Sequence, residues 1–189
     1  MQREVLLTGI GGQGIQLATA LLAAAAVAEG RHAMYFGSYG GMMRGGNSDT
    51  TLVLGDDPIE SPPTIGSAWS ALVLHPAHAS GVYSRLHDDG LLVLNTSLCD
   101  PVDTPTVGRL VPVPASELAA SSGNTSAVTM IALGAYAAAT AVAGLDTLLA
   151  EADRVLPPYR RQHVEGIRGA LRTGHAHAGP ALRAWPVHA

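Results

Sequence analysis

The sequence predicts a three-layer α/β/α domain with a mainly parallel sheet, a Rossmann-like first strand–helix unit and helices at its C-terminal end. Three observations point there. A β-like run, Val5–Thr8, is followed by a glycine-rich loop and then by an apolar helical run, Ile15–Ala28. Further along, the short apolar runs Ala71–Leu74 and Leu91–Leu94 flank a predicted helix, Ala77–Leu86, which is the spacing of a parallel βαβ unit. And 189 residues with 47% hydrophobic content and no domain-sized linker suffice for one real core.

The elements follow in order. The first strand leads to a helix over Ile15–Glu29, with Gly30 beyond its end. Ala33–Gly37 reads as a second strand and Thr50–Leu54 as a third, closed by the turn Gly55-Asp-Asp-Pro58. Ser61-Pro-Pro63 redirects the chain into the βαβ pair. Leu110–Val113 adds a strand and Ser116–Ala120 a short helix. Thr125–Ala143 is expected as a long alanine-rich helix, and Asp146–Val155 and Tyr159–Leu171 as two more, parted by Pro157-Pro158. The domain is expected over 1–172, with 173–189 a flexible tail.

The chemistry concentrates in two glycine loops. Gly9-Ile-Gly-Gly-Gln-Gly14 fits G-x-G-x-x-G in a strand–loop–helix setting, where backbone N–H groups face an anion at a helix N-terminus. The same glycines would equally serve a tight turn that only packs helix on sheet. The second loop, Ser38-Tyr-Gly-Gly-Met-Met-Arg-Gly-Gly-Asn-Ser48, carries Arg44 beside Gly45 and Gly46. Its guanidinium is either a rim charge paired with a carboxylate or a clamp on a phosphate or carboxylate. A dinucleotide site also wants an acidic residue after the second strand, and none lies between Glu29 and Asp49. NADP, held by Ser38 and Arg44, remains the alternative: a stand-alone NADP-binding oxidoreductase.

Composition excludes much else. All eleven basic residues are arginine, so no lysine serves as P-loop residue, Schiff base or general base. One cysteine, Cys99, cannot by itself hold an iron–sulfur cluster or a four-cysteine zinc site, and it fits a reducing cytoplasm. His75 and His78 lack an adjacent carboxylate or third ligand, so no metal site and no catalytic residue is assigned. A net charge of −4 gives no reason to expect nucleic acid. The uncharged stretch Leu118–Leu145 is long enough to span a bilayer, but its serines, threonines and alanines read as a buried helix. Met-Gln-Arg-Glu runs straight into a strand, so no signal peptide is expected. With 14% charged residues and a mean hydropathy of +0.22, part of the apolar surface is expected to be buried against another chain.

Taken together, Gly9-Ile-Gly-Gly-Gln-Gly14, Ser38-Tyr-Gly40, Met43-Arg-Gly-Gly46, Pro58-Ile59 with Ser61-Pro62, Asn95-Thr-Ser97 and Ala132-Leu-Gly-Ala135 resemble the gamma subunit of 2-oxoacid:ferredoxin oxidoreductases over about residues 3–172. In that family the same module also occurs inside single-chain pyruvate oxidoreductases. The resemblance implies a cytoplasmic hetero-oligomer that oxidatively decarboxylates a 2-oxoacid to an acyl-coenzyme A. Thiamine diphosphate and iron–sulfur clusters would lie on alpha/beta and iron–sulfur partner subunits, with ferredoxin or another acceptor taking the electrons. The gamma module, not catalytic alone, would cover the active site and help bind coenzyme A. Gly11, Gly12, Gln13 and Gly14 would form the anion-facing loop, and Arg44, Gly45 and Gly46 its second wall. Two positions depart from the pattern. Thr129 stands where relatives often carry asparagine, and Asn47-Ser48 follows Arg-Gly-Gly in place of small or β-branched residues.

Overall fold

A computed structural model of the chain describes residues 1–39, 46–60 and 62–179. Six strands form one sheet: β1 (Gln2–Ile10), β2 (His32–Tyr39), β3 (Asn47–Gly55), β4 (Ala68–Val73), β5 (Leu86–Asn95) and β6 (Arg109–Val113). Their spatial order is β2-β3-β1-β4-β5-β6. β3 runs antiparallel to both of its neighbours, and β1, β4, β5 and β6 pair in parallel. The expected mainly parallel sheet is thus present, with a single reversed strand between β1 and β2.

Alternate residues of the central strands feed two cores, as the two-residue strand period requires. Val5, Leu7, Leu52, Leu54, Leu72, Leu91, Val93, Val111 and Val113 face the larger helical layer. Leu6, Ala71, Val73, Leu92 and Leu94 face a smaller cluster with Val82 and Cys99. The large layer contains α1 (Ile15–Ala28), α3 (Ala115–Ser121), α4 (Val128–Thr140), α5 (Leu145–Val155) and α6 (Val164–Ala178). α2 (Ser80–Tyr83) supplies Val82 to the other face.

α4 is buried along almost its whole length, and its polar side chains are bonded internally. The Tyr136 hydroxyl lies 2.9 Å from Ser70 Oγ in β4, and Thr140 Oγ1 donates to the Tyr136 carbonyl at 2.7 Å. Against α4 lies α6, at a crossing too close for side chains. A Cβ on Gly134 would meet the Leu171 carbonyl oxygen, and one on Gly174 the Ile131 carbonyl oxygen.

Several expected boundaries move. The helix expected over Ala77–Leu86 is a 3-10 turn, Pro76–His78, followed by the four-residue α2. The Arg85 carbonyl already accepts from Ala68 N at the foot of β4, so the chain enters the sheet at Leu86. Thr125–Ala143 is divided: a 3-10 turn over Thr125–Ala127, then α4, which ends where Ala141 takes a left-handed φ of 51°. Tyr159–Leu171 begins as a 3-10 turn, Pro158–His163. The loose tail expected from Thr173 is instead helical to Ala178, because Gly174 lets this end of α6 seat on α4. No helix among the described residues is long and apolar enough to cross a membrane.

Candidate functional site

The reversed strand determines where the glycine loops lie. Because β3 runs against β1 and β2, its first residues sit at the sheet edge where β1 and β2 end: Ile10 pairs with Asn47, and Tyr39 with Ser48. The ends of both loops therefore meet at one edge, and Gly11 N–H donates to the Gly46 carbonyl at 2.8 Å. Arg44 and Gly45 lie outside the described residues.

The first loop is closed on itself. Gln13 N–H donates to the Ile10 carbonyl at 3.1 Å, and Ile10 N–H donates to Gln13 Oε1 at 2.9 Å. Gly12 and Gly14 adopt φ of 101° and 86°, where a side chain would be strained. Gly14 is the N-cap of α1, with no side-chain cap and no acidic residue in the first turn. The first-turn N–H groups of a helix have no carbonyl partner within it. Gly12, Gln13 and Gly14 line a cleft of about 360 Å³, closed by Leu17, Asn124, Ser126, Ala127, Met130, Leu156, Arg160, His163, Gly166 and Ile167.

These contacts separate the residues expected to face an anion. Gly12, Gln13 and Gly14 line the cleft, whereas the Gly11 N–H is taken by the Gly46 carbonyl; Gln13 Oε1 also braces the loop. The loop is also held from behind. Fully buried Thr129, at the start of α4, donates from Oγ1 to the Gln13 carbonyl at 2.6 Å. The threonine that departs from the family pattern thus fixes the loop. Asn47, the other departure, donates to Asp49 Oδ2 at 2.6 Å, and Thr8 donates to Asp49 Oδ1 at 2.6 Å.

Other candidates have structural roles. His75 Nδ1 accepts from Ala77 N–H and caps the 3-10 turn. Asn95 and Ser97 accept from the Ser116 and Glu117 N–H groups, so Asn95-Thr-Ser97 caps α3. Cys99 is buried, and burial pushes its thiol up to about 11, so it carries no thiolate at neutral pH. Sequence reasoning did not single out Asn124, Ser126, Arg160 or His163 for the cleft. The basic run Arg160-Arg161-Gln162-His163 after two prolines was the signal available.

Over 66 residues the chain is 44% identical to 2-oxoglutarate synthase subunit KorC of Methanocaldococcus jannaschii, covering 34% of this chain and 35% of that one. The match thus spans about a third of that relative. A solved keto/oxoacid ferredoxin oxidoreductase gamma subunit from Geobacter sulfurreducens superposes with TM-score 0.79 at 25% identity, covering 94% of this chain and 97% of that one. The fold also matches 2-oxoglutarate:ferredoxin oxidoreductase from Magnetococcus marinus, solved with 2-oxoglutarate, coenzyme A and succinyl-CoA bound. There the TM-score is 0.84 at 17% identity, covering 97% of this chain and 33% of that one. The family model for pyruvate ferredoxin/flavodoxin oxidoreductase matches residues 4–176, and the chain belongs to that family.

Proposed function

We propose that this chain is the gamma-type subunit of a thiamine-diphosphate-dependent 2-oxoacid:acceptor oxidoreductase, and that its glycine loop helps receive coenzyme A. The carrying observation is the family match across 4–176, which includes the loop and the cleft in front of it. Thiamine diphosphate, on a partner subunit, supplies the decarboxylation chemistry. Iron–sulfur clusters also belong to partners, since one buried thiol cannot ligate a cluster. The chain's own contribution is binding. Gly12 and Gly14 keep the backbone bare, the first turn of α1 offers uncapped N–H groups, and Thr129 holds the loop against α4.

The exposed surface supports a partner. β2 is an edge strand without Lys, Arg, Asp, Glu or Pro, and Met34, Tyr35 and Phe36 on it are exposed. Edges left without such guards invite pairing or cover from another chain. The lone free thiol suits the cytoplasm.

The NADP alternative loses support from the sheet order. β3 lies between β1 and β2, which puts the end of β2 about 10 Å from that of β1, two strand spacings away. A dinucleotide fold instead has the ribose-binding strand beside β1.

Purification of the tagged chain from its host, with mass spectrometry of everything retained, tests the proposal. Partners with thiamine-diphosphate and cysteine-rich cluster motifs are expected. Recovery of a solitary chain that binds NADP would overturn it.

A further inference from the structure

One wall of the cleft carries an arginine and a histidine from outside both glycine loops. Arg160 and His163 belong to the 3-10 turn Pro158–His163 and line the cleft together with Gly12 and Gly14. None of its lining residues is acidic, in a chain whose formal charge is −4. Two arginines on the flanking helices are paired, Arg154 with Glu151 at 2.7 Å and Arg168 with Glu165 at 2.6 Å. Arg160 has no carboxylate partner among the described residues, and its guanidinium carbon lies 5.6 Å from the Tyr159 ring centroid. The His163 ring nitrogen Nε2 lies 3.4 Å from Gln162 Nε2.

The rest of the cleft sets the shape of what it takes. Leu17, Met130, Leu156 and Ile167 give it apolar walls, and the Ser126 hydroxyl donates to Asn124 Oδ1 at 2.7 Å. A second cavity of about 220 Å³ shares Asn124, Ala127 and Gly166 with the first and continues along α6 to Thr173. At the shared wall Gly166 packs closely on Asn124, since a Cβ there would stand 3.1 Å from Asn124 Nδ2. The first cleft thus sets one arginine among apolar walls.

We infer that Arg160 and His163 bind a phosphate group of a phosphorylated ligand seated in this cleft, with the ligand's uncharged part against Leu17, Met130, Leu156 and Ile167. Under the proposed function, on which the identity of that ligand rests, it is coenzyme A, a pyrophosphate joined to a pantetheine arm. The guanidinium fork supplies paired N–H donors to phosphate oxygens and the imidazole a further one.

Two measurements test this. The full chain is titrated with inorganic pyrophosphate, followed by the backbone amide signals of Gly12, Gly14 and His163. The complex captured through this chain is assayed for the KM of coenzyme A and of pantetheine, which lacks phosphate. Arg160→Gln is expected to weaken pyrophosphate binding about tenfold and His163→Gln by less, as loss of a charge-assisted bond at an open site implies. Arg160→Gln should raise the coenzyme A KM by a similar factor, with pantetheine KM and kcat unchanged. Pyrophosphate binding equal to wild type in both variants overturns the inference. Binding that depends on Arg160, beside an unaltered coenzyme A KM, upholds the anion site and removes coenzyme A as its ligand.

Discussion

Replacing Gly174 with alanine places one methyl group where α6 crosses α4. The added Cβ would meet the Ile131 carbonyl oxygen, stand 2.6 Å from the Ile131 carbonyl carbon and 3.0 Å from Ala135 N. All three atoms are backbone of a buried helix, so no rotamer relieves the contact. Ordinary carbon–carbon separation is about 3.5–4.0 Å, so the helices must part by on the order of 1 Å. Overpacking of this kind costs about 1–3 kcal/mol, and the helix preference of alanine over glycine returns about 1 kcal/mol. Gly169, in the same helix, is exposed and would meet nothing within 4 Å. The same substitution there should gain about 0.5–1 kcal/mol. Urea unfolding of the two variants reads the difference directly, about 2 kcal/mol with opposite signs relative to wild type. In thermal unfolding each kcal/mol moves Tm by about 2–4 °C for a chain of this size. Equal stability of Gly174→Ala and Gly169→Ala would refute the close crossing, and with it the reason why α6 extends past Thr173.

Further outcomes follow from single contacts. Thr129→Val keeps the shape but strands the Gln13 carbonyl, costing about 1–2 kcal/mol in denaturant unfolding and speeding hydrogen exchange at Gly12 and Gly14. Ala141→Gly relieves a left-handed residue at the exposed end of α4 and should raise stability by about 0.5–1 kcal/mol, read as an upward shift of the urea midpoint. Alkaline pH acts through Cys99 and Tyr83, which burial pushes up to about 11 and about 12 from ordinary values of 9.0 and 10.0. Both are held neutral by the fold, so their contribution is complete below pH 9.0 and 10.0 and is lost as pH rises to about 11 and about 12. Cys99→Ala should flatten the first part of that decline in unfolding midpoints measured against pH. Tyr136→Phe removes the bond to Ser70 and should cost about 1–2 kcal/mol in urea unfolding, less when combined with Ser70→Ala, which removes the orphaned partner.

Much of the fold was legible because its signals are local. Apolar runs bounded by glycine and proline gave the strands, and Gly9–Gly14 in front of an alanine-rich run gave the first turn of α1. The direction of β3 was not legible: Asn47–Gly55 reads the same whether it lies beside β1 or beyond β2, yet that choice brings the loops together. Helix boundaries slipped where capping chemistry decided them, as at Ala141, or where a distant N–H drew the chain into the sheet, as Ala68 does at Arg85. The first residues of the expected tail, to Ala178, proved helical because Gly174 is a contact surface in the fold. In the site, Gly12 and Gly14 were visible through their spacing. Arg160 and His163 stood in a basic run after two prolines, but nothing local tied that run to a loop near the start of the chain.

The most direct test of the central claim is acceptor reduction by the complex captured through this chain. With a 2-oxoacid and oxidised viologen present, reduction is expected to require coenzyme A, to stop when this chain is stripped from the complex and to return when purified chain is added back. Full activity without the chain, or reduction indifferent to coenzyme A, would contradict the account.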